Sequence, residues 1–144
     1  MAIPEKIHLE IVTADKLVYS GNVDSIIVPA LTGYIGILPG HAPLLAELGI
    51  GEIMFTTGGV TEDVFCSWGF VEVLPDRVVI LAQTAELSSD IDLKRAEEAK
   101  ARAEKLLASH DSNVDHAAAE LAVLRATSRI HAAQSVASRR QQKT

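Results

Sequence analysis

The sequence predicts an α+β protein, in which an N-terminal antiparallel β-sandwich is followed by a C-terminal antiparallel two-helix hairpin. Turn-forming residues recur at intervals of about 8 to 12 residues through the first part of the chain, as they do in sandwiches and barrels. From residue 90 onward, alanine and leucine recur at helical spacing with charged residues between them. The predicted domains are therefore a β-sandwich over 1–86 and a helical hairpin over 87–144.

The first strand is predicted from alternation near the N-terminus. Ile7, Leu9 and Ile11 alternate with polar residues, and a period of two puts all three on one face of a sheet. A half-buried strand is expected here. The turn signals that follow are Ala14-Asp15, Ser20-Gly21-Asn22, Leu31-Thr32-Gly33, Pro39-Gly40, Gly49-Ile50-Gly51, Thr57-Gly58-Gly59 and Pro75-Asp76.

The end of the predicted sandwich is marked by an apolar run from Val78 to Ala82. A strand without alternation is expected to be covered on both faces. Cys66, in the strand-like run Val64 to Ser67, is the only cysteine, which excludes an internal disulfide and a cysteine-cluster metal site. It is expected to be buried as an apolar residue.

Two helices are predicted after residue 90. Ser89 is expected to be the N-cap, with Asp92 completing a capping-box-like pattern three residues later. The first helix is predicted to end near residue 108, and the second to run from about Val114 to about Ser138, with fraying from Arg139 onward. Because alanine contacts bury little apolar area, we expect the hairpin to be held loosely and to be able to leave the sandwich.

Charge is distributed unevenly along the chain. Residues 1–86 hold three basic and eleven acidic residues, whereas 87–144 hold ten basic and eight acidic residues. The opposite net charges favour docking of the helices on the β part. The total of −6 at pH 7 disfavours a nucleic-acid partner.

Several classes of function are not expected. The longest apolar runs fall short of the roughly 18 residues needed to span a bilayer, and the start of the chain lacks the layout of a secretory signal. We therefore expect no direct insertion into lipid and residence in the compartment of synthesis. Neither a Gly-x-Ser-x-Gly motif nor a Walker loop is present, so an enzyme is not expected.

Arginines are predicted to converge near the start of the first helix. If the first helix ends near residue 108 and the second begins near residue 113, an antiparallel hairpin places Arg125 beside Arg95. The same register brings Arg129 beside Asp92. On the first helix, Asp92, Arg95 and Arg102 project within roughly 80° of one another. Guanidinium groups so placed repel one another unless an anion lies between them, which favours a nucleotide polyphosphate. The alternative is a set of ordinary solvated helix charges.

Four segments occur in an order that resembles a known family. They are Gly33 to Leu44 (Gly-x-x-Gly-x-Leu-Pro-Gly-His-x-Pro-Leu), Gly69 to Val73, Ile80 to Glu86, and Asp90 to Ala96. With these segments the chain resembles the epsilon subunit of bacterial F-type ATP synthases. The resemblance implies a non-catalytic rotor subunit of a proton-translocating synthase, peripheral to the cytoplasmic face of the bacterial cell membrane. The implied partners are the gamma subunit, the c-subunit ring and, when the hairpin extends to inhibit hydrolysis, the alpha/beta headpiece.

The resemblance also implies a regulatory ATP site on the folded hairpin, with no cofactor required. The segment from Ile91 to Ala96 matches the motif Ile/Leu-Asp-x-x-Arg-Ala. The implied site residues are Glu86, Ile91, Asp92, Arg95, Ala96, Arg102, Arg125 and Arg129. An alternative is a free-standing β-sandwich binding module with a nucleotide-binding hairpin, which would not co-purify with gamma and c subunits.

A second set of residues is implied to contact partners. Its members are Tyr34, Pro39, Gly40 and His41. Pro39 and Gly40 predict a type II turn, at whose exit His41 either caps the turn or contacts a partner. Tyr34 stands where the family often has an acidic residue. Trp68 replaces a small residue, and its indole is expected at an edge or against a partner.

Overall fold

The computed structural model describes residues 2–142. Within that range no helix is long and apolar enough to cross a membrane. The strands are β1 Ile7–Val12, β2 Leu17–Val23, β3 Ser25–Ala30, β4 Gly33–Ile37, β5 Leu44–Thr57, β6 Val60–Val73 and β7 Arg77–Leu87. A 3-10 helix, Ser88–Asp90, leads into α1 Leu93–Ala108 and α2 His116–Gln142.

The strands form a sheet that folds over on itself around one core. Their order is β2-β1-β7-β6-β5-β3-β4, and a single cluster of buried apolar side chains takes members from all seven described strands. Tyr19 of β2 contacts Phe55 of β5, with ring centroids 4.3 Å apart. The predicted sandwich is confirmed. Its neighbouring strands are antiparallel except β1 and β7, which pair in parallel because the chain circles the whole sandwich before β7 returns beside β1.

Strand β7 differs from its prediction. Val78 and Ile80 are buried in the core, but Leu81 is 57% exposed. Leu81 lies opposite Phe70 of β6, which is also exposed. The expectation of cover on both faces is therefore wrong, because no other element of the described chain packs over this end of the outer face.

The backbone conformation at Trp68 and Gly69 changes which side chains of β6 face the core. Trp68 has φ 57° and Gly69 has φ 152°, and the alternation of core-facing side chains reverses across them, although the pairing of β6 with β5 and β7 keeps one register. Cys66 faces the core before these two residues and Val71 after them. A Cβ on Gly69 would lie 2.1 Å from the carbonyl oxygen of Leu81, so only glycine fits there. Because β6 is flanked by β5 and β7, the expected edge position of Trp68 is wrong.

Cys66 is a core residue, as predicted. Its exposure is 0%, and burial raises the pKa of its thiol to about 12. The thiol is therefore protonated at neutral pH and contributes packing.

The helix boundaries depend on aspartate caps. Asp92, not Ser89, is the N-cap of α1, because its Oδ1 accepts a hydrogen bond from the Arg95 amide at 3.0 Å. The end of α1 at residue 108 is confirmed. Asp115 precedes α2, and its Oδ1 accepts from the Ala118 amide at 3.0 Å. Helix α2 therefore begins at His116 rather than near Val114.

Helix α2 docks on the outer face of the sheet through acidic residues of three neighbouring strands. The pairs are Glu86 of β7 with Arg129 (3.1 Å), Glu52 of β5 with His131 (2.7 Å) and Asp63 of β6 with Arg139 (2.5 Å). The His131 pair is ionic only when the imidazole is protonated. Acidic side chains of the sheet thus pair directly with basic side chains of α2, in agreement with the opposite net charges of the two parts of the chain.

The contact at Arg139 corrects the prediction of fraying. Arg139 Nη2 binds Asp63, whose side chain is 1% exposed, and Nη1 donates to the Thr61 carbonyl at 2.9 Å. A buried carboxylate without a partner is costly, so the end of α2 is held against β6 and the helix continues to Gln142. The last two residues of the segment predicted to fray, Lys143 and Thr144, lie outside the described residues.

Candidate nucleotide site

A cavity of about 420 Å³ lies where β7, the 3-10 helix, α1 and α2 meet. This volume falls in the range of small-molecule sites. The lining residues are Glu86, Asp90, Ile91, Asp92, Arg95, Ala96, Ala99, Arg102 and Arg129. Seven of the eight residues implied for a nucleotide site are therefore brought together.

Arg125 is the exception, because it does not line the cavity. The predicted register assumed that the second helix begins near 113, whereas Asp115 caps it and α2 begins at His116. The longer connection shifts α2 by about one helical turn along α1. Arg129, not Arg125, is the α2 arginine at the cavity.

The start of α1 positions the motif residues. After the 3-10 helix, Ile91 and Asp92 are extended, and α1 then begins at Leu93. The capping bond from the Arg95 amide to Asp92 fixes this bend. Ala96 is only 4% exposed and lines the cavity wall, where a larger side chain would reduce the volume.

Arg129 is held from two directions. Its Nε and Nη2 lie 3.2 Å and 3.1 Å from Glu86 Oε1. Its Cζ lies 4.3 Å from the centroid of the Phe65 ring. Phe65 is fully buried beneath α2. Sequence reasoning missed Phe65, since it lies 64 residues from Arg129 and its outward orientation depends on the local register of β6.

The charges around the cavity are only partly compensated locally. Glu86 pairs with Arg129, and Asp92 accepts the capping bond. Arg95 and Arg102 have no carboxylate within ion-pair distance in the part of the chain that the structure describes. Two exposed guanidinium groups therefore face one cavity with their hydrogen-bond donors available to an anion.

The residues implied for partner contact lie away from this cavity, on β4 and the turn after it. The type II turn is confirmed, because Gly40 has φ 85° and the His41 amide donates to the Leu38 carbonyl at 3.1 Å. His41 Nδ1 lies 2.7 Å from the Ala42 carbonyl oxygen. The Tyr34 hydroxyl donates to Glu52 Oε2 at 2.9 Å. Burial, followed by the nearby Glu52, raises the pKa of Tyr34.

Tyr34 is thereby connected to the hairpin through one carboxylate. Glu52 accepts from Tyr34 with Oε2 and contacts His131 of α2 with Oε1. Over residues 2–142, no cluster of three or more His, Cys, Asp or Glu side chains is arranged to hold a metal ion.

Comparison with known proteins assigns both parts of the chain. Residues 6–88 match the family model described as ATP synthase, Delta/Epsilon chain, beta-sandwich domain, and residues 89–134 match the corresponding long alpha-helix domain. The ATP synthase epsilon chain of Nitratidesulfovibrio vulgaris strain DP4 is 47% identical over 88% of this chain and 94% of its own length. The epsilon chain of Halalkalibacterium halodurans is 48% identical over 88% of this chain and 96% of its own.

Solved structures share the fold. A chain of the Euglena gracilis mitochondrial ATP synthase, in an OSCP/F1/c-ring structure, has a TM-score of 0.77 and 24% identity over 95% of this chain and 84% of that one. A chain of the Tetrahymena thermophila central stalk/c-ring structure has a TM-score of 0.53 and 17% identity over 93% and 98%. The protein belongs to the ATP synthase epsilon chain family, as a non-catalytic subunit of the central stalk of an F-type ATP synthase.

Proposed function

We propose that this subunit joins the gamma subunit and the c ring through the sandwich domain, 1–86, and regulates ATP hydrolysis through the hairpin domain, 87–144. In the extended state, the hairpin reaches the alpha/beta headpiece and restrains hydrolysis. Exposed Tyr34 and the Pro39-Gly40-His41 turn are the proposed contacts with partners. The complex is proposed to translocate protons, with this subunit peripheral to the cytoplasmic face of the bacterial membrane.

The folded hairpin is proposed to bind ATP in the cavity at the start of α1. The observation that supports this proposal best is that Arg95 and Arg102 line a cavity of about 420 Å³. Neither has an acidic partner within ion-pair distance among residues 2–142. Planar guanidinium groups suit phosphate oxygens, which they can bind bidentately. No other cofactor is required for this role.

Ligand binding at this position would favour the closed hairpin. The cavity wall combines Glu86 of β7, residues of α1 and Arg129 of α2, so separation of the helices from the sheet would dismantle it. A ligand that binds only the closed form stabilises it by about 1.4 kcal/mol at ten times its Kd. High ATP would then favour the non-inhibitory state.

Calorimetry on the full chain tests the ATP site. We expect Arg95→Ala to weaken ATP binding by at least about tenfold, because hydrogen bonds to charged groups contribute about 1.5–3 kcal/mol. Lys94→Ala is the matched control, since Lys94 is a neighbouring exposed cation that does not line the cavity. Equal heats for Arg95→Ala and the unmodified chain would remove the proposed site.

Hydrolysis by a reconstituted headpiece tests the regulatory role. We expect a chain ending at Leu87 to allow faster ATP hydrolysis than the full chain. Leu87 is the correct end point because it is the last residue of β7 and pairs with Val64. Equal rates would show that the helices do not act as a brake. Failure of either form to co-purify with gamma and c subunits would favour the free-standing binding module.

A further inference from the structure

We propose that Phe65 is a positioning residue of the nucleotide site, whose ring sets the plane of the Arg129 guanidinium at the cavity wall. The inference rests on the proposed ATP site and assigns a role to a residue that lies outside the matching motif. Phe65 does not line the cavity itself. It acts through Arg129, which does.

The two partners of Arg129 form one cross-strand pair. Phe65 of β6 lies directly opposite Glu86 of β7 in the register of the sheet. Directly opposed residues have neighbouring side chains on the same face. Glu86 binds the Nε and Nη2 edge of the guanidinium, while the ring lies 4.3 Å from Cζ. Together, Glu86 and Phe65 fix both the edge and the plane of the Arg129 guanidinium.

The backbone conformation at Trp68 and Gly69 allows Phe65 to face α2 while later residues of β6 face the core. Phe65 points outward under α2, whereas Val71, an even number of residues later, points into the core. A regular strand would place both residues on one face. Trp68 and Gly69, both with positive φ, lie between the two residues and separate the two orientations, so β6 contributes both to the position of Arg129 and to the core.

The physical consequence is pre-organisation. A cation over an aromatic face is attracted by the ring quadrupole, and more strongly when the pair is desolvated, as it is above the buried Phe65. An arginine that is already ordered loses less side-chain freedom when an anion binds. No further hydrogen bond from Arg129 is present in residues 2–142, so its remaining N–H donors are available to a phosphate.

The test combines affinity with a spectroscopic signal from Arg129. We expect Phe65→Leu to keep the apolar volume but weaken ATP binding by about 2- to 30-fold, and Phe65→Trp to restore it. In the ligand-free wild-type chain, the Arg129 Nε–H proton resonance should be shifted upfield by the ring. The shift should disappear in Phe65→Leu and return in Phe65→Trp, which loss of packing alone would not produce.

A double-mutant comparison completes the test. In an Arg129→Ala background, Phe65→Leu should change ATP affinity no further. Unchanged affinity in Phe65→Leu, or an unshifted Arg129 resonance in the wild-type chain, would overturn the assignment. If Arg95→Ala abolishes binding while Phe65→Leu does not weaken it, the ATP site stands and only the role of Phe65 fails. If the wild-type chain binds no ATP, both proposals fail.

Discussion

At the scale of single residues, backbone conformation determines the fold of this chain as much as side-chain chemistry does. Gly69 combines φ 152° with a backbone carbonyl that leaves no room for a Cβ. The alternation of core-facing side chains in β6 reverses at Gly69 and the neighbouring Trp68. One glycine therefore supports both the sandwich and the surface on which the hairpin docks.

Gly69→Ala should lower the free energy of unfolding by at least about 2 kcal/mol, because the conformation is strained for alanine and the Leu81 backbone must move. Urea denaturation measures this change. Gly36→Ala is the matched control, since a Cβ there meets nothing within 4 Å and its φ is not positive. Equal midpoints for the two variants would contradict the assigned role of Gly69.

Some residue positions could be predicted from the sequence and others could not. The alternation of Ile7, Leu9 and Ile11 predicted β1 because strand periodicity is local. The pairing of Phe65 with Arg129 could not be predicted, since it depends on how β6 and α2 meet in space. The position of Arg125 was misjudged because helix register depends on which residue caps α2, and Asp115 competes with nearby Asn113 for that role.

At the scale of elements, α2 is held to the sheet by polar contacts spaced along its length. Arg129, His131 and Arg139 each reach a different strand. Ion pairs of this kind are replaced by water more readily than apolar contacts of similar extent. The expectation of a loosely held hairpin remains a prediction, but the buried Asp63 strengthens the attachment at the far end of α2.

Arg139→Gln should release the last turns of α2, because it leaves the Asp63 carboxylate buried without a partner. Amide exchange over residues 134–142 should rise markedly in this variant. Arg140→Gln is the control, since Arg140 is its exposed neighbour and has no ion pair within the described range. Adding Asp63→Asn to Arg139→Gln should recover part of the protection, whereas no change in any variant would exclude the attachment.

At the scale of the whole molecule, two regions that differ in buried apolar area are joined at Leu87. The sandwich has one continuous core from seven strands, whereas the buried residues of α1 are alanines alone. Such a difference in buried apolar area predicts different opening free energies for the two parts. The sandwich and the hairpin were both predictable from sequence, because each has its own periodicity. The contacts between the two parts were not predictable, except that opposite net charges would favour docking.

Amide exchange on the full chain should therefore be faster in α1 and α2 than in the core strands, and ATP should slow it in the helices only. The reason is that the cavity proposed for ATP is lined by residues of both helices but by no core residue of the sandwich. Mass spectrometry of exchanged peptides resolves the two parts. Equal protection of helices and strands, unaffected by ATP, would indicate that the hairpin does not open.

The burial of Cys66 has a practical consequence for watching the hairpin move. Thiol-directed dyes react with the thiolate, and the raised pKa together with zero exposure leaves this cysteine inert in the folded chain. Fluorophores can then be attached at Ser112→Cys, in the connection between the helices, and at exposed Gln83→Cys on β7 without removing the native cysteine. Energy transfer between the two dyes would follow opening and closing in single rotating complexes.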